Sequence, residues 1–207
     1  MSITAESWQR LWSELGAQTI DRGLLNQLVA AYSEGHRHYH TLQHLRECLA
    51  HWDAAASLAR RPAEVELALW FHDAVYDPQR SDNEERSAEW AARAIRAAGC
   101  DDAAAQRVQA LVLATRQHEA AADDADTALL LDIDLAILGA APARFAEYER
   151  QVRAEYAHVA EAAFREGRSG VLAGFLARPR IYATEVFRAA LEQRARSNLQ
   201  AALQSLR

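Results

Sequence analysis

Several things are scarce in this 207-residue chain, and each scarcity narrows what it can be. There are two cysteines, Cys48 and Cys100, and no Cys-x-x-Cys, which argues against a disulfide framework and against a thiolate zinc site. The simplest expectation is two reduced thiols in a reducing compartment. Glycine (8) and proline (4) are few while Ala, Leu, Glu and Arg abound, so helix is favoured almost everywhere. Basic residues do not outnumber acidic ones. The net charge of −6 speaks against a nucleic-acid backbone or an anionic membrane as the main partner, although a small phosphate needs only one or two cations. The most apolar stretch, residues 128–143, is interrupted by Asp132 and Asp134 and is too short and too charged to span a bilayer. The first residues, MSITAESWQRLWSELG, lack a basic start followed by an apolar run and do not read as a signal peptide. A soluble, cytoplasmic protein is the expectation.

Half of the residues are hydrophobic, enough for a substantial core, and the length suits one domain. The apolar positions repeat at helical spacing. Trp8, Leu11, Trp12 and Leu15 form one face, with Gly16 as its stop; Leu24, Leu25, Leu28, Val29 and Tyr32 form a second; Leu42, Leu45, Leu49 and Trp52 form a third. Pro62 suits the first turn of a fourth helix that runs through Val65 and Trp70 towards His72 and Asp73. Ser81 with Glu84, or Asp82 with Glu85, has the spacing of a capping box, opening a helix that stops near Gly99. Further helices are predicted over roughly 103–117, 126–138, 142–166, 171–177 and 183–206, with a polar loop at 118–126. Sustained period-two alternation is missing, so no sheet is expected. The fold class is all-α: a single helical-bundle domain over 1–207, with a metal-binding core at about 36–140 and the helices of 142–206 packing on it.

Three elements carry the chemistry. Histidines gather in GHRHYHTLQHL, where His40 and His44 are four apart and on a helix would share a face. Such a pair can meet one metal, or one can bind metal while the other meets substrate; the plainer alternative is a pair of surface histidines. His72-Asp73 closes the apolar run ALALWF. A carboxylate there needs a partner if buried, or else faces water at a helix end. Asp132 and Asp134 stand inside LLLDIDLAIL, and on a regular helix they diverge by roughly 200°. One can be a ligand while the other caps or supports; alternatively both are first-turn acids. Two imidazoles and two carboxylates suit a divalent Mn, Fe, Co, Ni, Zn or Mg ion.

The order His44, then His72-Asp73, then Asp134 resembles the H…HD…D signature of the HD-domain superfamily of metal-dependent phosphohydrolases. The longer phrases RHYHTLQHL, FHDAVYDPQRSDNEERSA, DIDLAILGA, VRAEYAHV, GFLARPRIYATEVF and ARSNL resemble a bacterial branch of predicted phosphohydrolases, over nearly the whole chain. Tyr39-His40-Thr41-x-x-His44 is also similar to the corresponding motif of cyclic-nucleotide phosphodiesterases, except that Thr41 stands where those enzymes have Asn. The resemblance implies that His44, His72, Asp73 and Asp134 hold the metal, and that His40 is the acid for the leaving oxygen. Asp134-Leu135 fits the usual context of the last ligand better than Asp132 does. By the same resemblance Asp77, Asn83, Glu84 and Glu85, just after the HD pair, are candidates for a supporting shell or a general base, with helix-start residues the plainer reading of the last three. Thr115 and His118 end a helix that can face the site, His118 as a second-metal ligand or as a cation at a helix end. Arg153 is a candidate phosphate binder or a partner for a neighbouring acid.

The implied function is hydrolysis of a small phosphorylated molecule, a nucleotide or related phosphate ester, by metal-activated water. No Walker loop or Gly-x-Gly-x-x-Gly supports the nucleotide directly. Two other classes remain: a non-catalytic metal- or nucleotide-binding sensor, and a di-iron oxygenase of the HD type. The oligomeric state stays open, a homodimer being one option.

Overall fold

The computed structural model describes residues 3–121 and 123–206, and the described residues contain helices and connecting turns but no strand. The chain divides into two compact units, Met1–Leu131 and Asp132–Arg207. No helix among the described residues is long and apolar enough to cross a membrane.

The first unit is organised around the predicted fourth helix. Helices α1 (Ala5–Glu14), α2 (Leu24–Ala31), α3 (Leu42–Ala55), α4 (Pro62–Phe71), α5 (Asn83–Ala97) and α6 (Asp102–Ala114) follow in order, and α7 (Ala125–Asp134) carries the chain across the division. Pro62 occupies the first turn of α4, where its missing N–H goes unmissed. Every residue of α4 from Glu64 to Phe71 is buried, the mark of a helix enclosed on all sides. Trp70 meets Trp8 of α1 edge-to-face, with centroids 5.0 Å apart, and Phe71 meets Trp90 of α5 at 5.8 Å. Its two buried carboxylates reach outward to cations: Glu64 takes a two-pronged contact from Arg107 of α6, and Glu66 one from Arg10 of α1 together with the Trp52 indole N–H. The start of α7 is fastened to the turn that leads into the same helix, since the Asp126 carboxylate accepts the backbone N–H groups of Arg60 and Arg61. Burial of α4 on every side is what fixes the position of the two residues that follow it, His72 and Asp73.

In the second unit, the last turn of α7 tightens into a 3-10 segment, Leu135–Gly139. Then come α8 (Pro142–Glu155), α9 (Glu161–Ala177) and α10 (Glu185–Ser205). The 3-10 segment lies against α10: Asn198 donates to the carbonyls of Leu138 and Ala140, both at 2.9 Å, and the Tyr182 hydroxyl donates to Leu135. Gly139 is required there, because a Cβ would stand 2.6 Å from that of Leu191.

Three sequence expectations need correction. The helix predicted over 142–166 is two helices, and the piece predicted at 171–177 is the end of the second. The break at 156–160 contains neither glycine nor proline; it is held by Arg153, which donates to the carbonyls of Tyr156 and Val159 and to Glu161. The capping box before α5 does not form: Asp82 is the N-cap residue, but its carboxylate is taken by Arg80. His40 precedes α3, whose N-cap is Thr41, so His40 and His44 are not on one helix face.

Candidate metal centre

His44 is in the first turn of α3, where the Thr41 side chain caps the helix by accepting the Gln43 N–H at 3.2 Å. His72 is the residue at which α4 ends, and Asp73 follows in the turn. Because the helix stops there, adjacent side chains can converge rather than diverge by a helical step. The His44 and His72 Nε2 atoms lie 3.0 Å apart, and Asp73 Oδ2 lies 3.0 Å from His72 Nε2 and 3.4 Å from His44 Nε2. Both imidazoles are buried.

The protonation pattern gives this cluster its meaning. His72 Nδ1 is 2.8 Å from the Leu69 carbonyl, which can only accept, so that nitrogen carries the hydrogen. In its neutral form that ring turns the Nε2 lone pair towards a carboxylate oxygen and a second imidazole nitrogen. Acceptors converging in a buried place call for a donated hydrogen or a metal ion among them. Two nitrogens bound to one ion at about 2.1 Å stand roughly 3.0 Å apart at an octahedral angle and about 3.4 Å at a tetrahedral one, and the His44–His72 pair, at 3.0 Å, lies at the short end of that range. A backbone carbonyl fixing the outer nitrogen of a ligand histidine is the usual support of metal sites. On these grounds the residues fit a divalent ion. With protons on the imidazoles in place of an ion, burial raises the Asp73 carboxyl, but the charges of His72 and His40 and the hydrogen bonds from His44 and His72 outweigh it, holding the group well below the ordinary range.

Two residues that sequence reasoning passed over belong to this neighbourhood. Cys48, one turn after His44 on α3, brings its Sγ to 3.7 Å from both ring nitrogens of His44; the donor atoms of His44, Cys48 and His72 all lie within 4.8 Å of one another. The four-residue spacing from His44 was its signal. Arg37 is buried and donates to the carbonyls of His40 (3.2 Å), Asp73 (2.6 Å) and Ala74 (3.1 Å), with Glu34 accepting from its Nε at 3.0 Å. It clasps the turn carrying His40 to the turn carrying Asp73. His36 adds a contact at 2.7 Å between its Nε2 and the Tyr76 carbonyl. No local spacing marks Arg37.

The remaining expected residues are placed as follows. The His40 ring stacks on Tyr76, centroids 4.0 Å apart, and is 6.0 Å from the His44 ring. Asn83 pins the loop after the HD pair by exchanging two hydrogen bonds with the Asp77 backbone, and Ser87 does the same for Val75. Glu84 and Glu85 open α5, where Glu85 is paired with Arg116. Thr115 turns its hydroxyl back to the Val112 carbonyl. His118, just past α6, adopts a left-handed backbone with φ +51°. In the second unit, Arg153 is engaged in the α8–α9 turn and lies over the Phe164 ring. Asp132 and Asp134 are also separated by their surroundings. Asp132 accepts the N–H of Ala183 (2.8 Å), the N–H of Thr184 (2.7 Å) and the Thr184 hydroxyl (2.6 Å), so it fastens the start of α10. Asp134 ends α7.

Comparison with protein-family models, with curated proteins and with solved structures gave no match, so the likeness to HD-domain proteins rests on motifs alone.

Proposed function

We propose that this chain is a metal-dependent phosphohydrolase of the HD type, acting on a small phosphorylated molecule such as a nucleotide. The observation that carries the reading is the convergence of His44, His72 and Asp73, 3.0–3.4 Å apart, around two buried imidazoles, with the outer nitrogen of His72 held by a backbone carbonyl. In this reading those three residues hold the ion. Asp134 completes the set on the strength of the motif order, and the engagement of the Asp132 carboxylate by Ala183 and Thr184 favours that choice. When bound, a divalent ion supplies a Lewis acid for phosphoryl oxygen and lowers the pKa of water in its shell.

The chain's own groups do the rest. His40 sits beside the cluster without belonging to it, stacked on Tyr76 so that its ring plane is set before substrate arrives. Its ring nitrogen carries the proton that the leaving oxygen takes up. Arg37 holds the two turns in register from behind, and Asn83 fixes the loop that follows Asp77. Substitution separates binding from chemistry. In assays of p-nitrophenyl phosphate and a nucleotide panel with added Mn, Mg, Co, Ni or Zn, His40→Ala should keep the metal and lose about 10²-fold or more in turnover. If no phosphate ester is turned over by metal-loaded protein while nucleotides bind, the site is a sensor and the hydrolase reading fails.

A further inference from the structure

We propose that Cys48 is a sulfur ligand of this centre, making it a site for zinc-class ions rather than for magnesium or calcium. The inference rests on the metal reading above and extends it to the chemistry of the ion. Cys48 and His44 are one helical turn apart on α3, so their side chains leave the same face. The Sγ stands 3.7 Å from each His44 ring nitrogen, and the three donor atoms of His44, Cys48 and His72 fall within 4.8 Å of one another. A sulfur and a nitrogen bound to one tetrahedral ion at about 2.3 and 2.1 Å are roughly 3.6 Å apart, close to what is found.

Burial sharpens the argument. Cys48 is 2% exposed and His44 and His72 are each 2% exposed, so the sulfur meets the imidazole pair out of bulk solvent. A carboxylate-and-imidazole set accepts hard and borderline ions alike, whereas an added sulfur shifts preference towards zinc, cobalt, nickel and iron(II) and away from magnesium and calcium. On binding, the Cys48 S–H bond breaks, its proton leaves to solvent, and the sulfur lone pair enters the metal–sulfur bond. The broad list of ions that the histidines and aspartates alone permit is thereby narrowed. Cys100, the other cysteine, stands outside the cluster and serves as an internal control.

The test is optical and does not depend on turnover. Metal-free wild-type, Cys48→Ser, Cys48→Ala and His72→Ala proteins are titrated with cobalt(II). Wild type is expected to show visible d–d bands and a near-ultraviolet sulfur-to-cobalt charge-transfer band, both saturating at the same equivalence. In the Cys48 variants the charge-transfer band should vanish while weaker d–d bands remain, and zinc affinity should fall by about 10–100-fold with magnesium affinity nearly unchanged. Cobalt bound by wild type with d–d bands and no charge-transfer band overturns the proposal and leaves the metal reading standing. A band that persists in both Cys48 variants also overturns it. If wild type and His72→Ala alike bind no cobalt, both readings fall together. Retained helical circular dichroism in either Cys48 variant shows that the loss is not one of folding.

Discussion

Arg37→Met should damage stability and metal affinity together, and the structure gives the size of both effects. The Arg37 side chain is fully buried, and its guanidinium satisfies three backbone carbonyls and one carboxylate across two turns distant in sequence. Methionine keeps the stem but leaves the carbonyls of His40, Asp73 and Ala74 without that donor. Hydrogen bonds to a charged donor are worth about 1.5–3 kcal/mol each, and orphaned buried acceptors cost a similar amount. Against this stands the recovered cost of burying the guanidinium itself, so a net loss of about 3–5 kcal/mol is expected. For a chain of this size that lowers Tm by roughly 10 °C. Because the loosened backbone carries Asp73 and His40, zinc or cobalt affinity should fall by about 10–100-fold as well. Thermal denaturation by circular dichroism and a metal-competition titration measure the two effects. Arg37→Lys should recover only part of each, since an ammonium cannot span the same acceptors. Arg93→Met, at an exposed i,i+4 pair, should change stability by less than about 1 kcal/mol. An Arg37→Met protein within a few degrees of wild type and with unaltered affinity would refute the clasp.

Two further outcomes are expected. Asp132→Asn keeps acceptor capacity on one atom only and should lose about 1–2 kcal/mol through the weakened start of α10, with metal stoichiometry unchanged; metal loss on this substitution would make Asp132 a ligand after all. Burial raises the Glu66 carboxyl above its ordinary 4.5, against the pull of Arg10 and Trp52. A carboxyl raised in the fold contributes stability that is fully present below its unfolded value and is lost as pH rises through the folded one. The Tm difference between Glu66→Gln and wild type should therefore climb in favour of the variant as pH increases from about 4 to 7. A flat or falling difference contradicts the sign.

Much of the helical order was legible because it rests on local causes. The spacing of Trp8, Leu11 and Trp12, the proline at 62 and the glycine at 99, where φ is +74°, each act within one turn of chain. The HD pair was legible too, since an Asp after a buried Trp-Phe run needs a partner and finds two imidazoles. What was hidden depends on distant partners. Asp132 became the anchor of the turn before α10 only through Thr184, fifty-two positions away, which no helical register could reveal. The break after Glu155 is made by one arginine reaching carbonyls beyond its own helix. Arg80 removed Asp82 from the capping role its spacing suggested. Cys48 was hidden for another reason: a search for paired cysteines passes over a single sulfur that shares a helix face with histidine.

The most direct test of the central claim is metal content. Wild type, His72→Ala and Asp73→Ala are each loaded with zinc, passed through desalting and analysed for bound metal alongside protein concentration. The account predicts about one ion per wild-type chain and a loss of most of it in both variants, which retain their helical spectrum. Wild-type protein that holds no ion under any loading condition, or variants that hold as much as wild type, would contradict it.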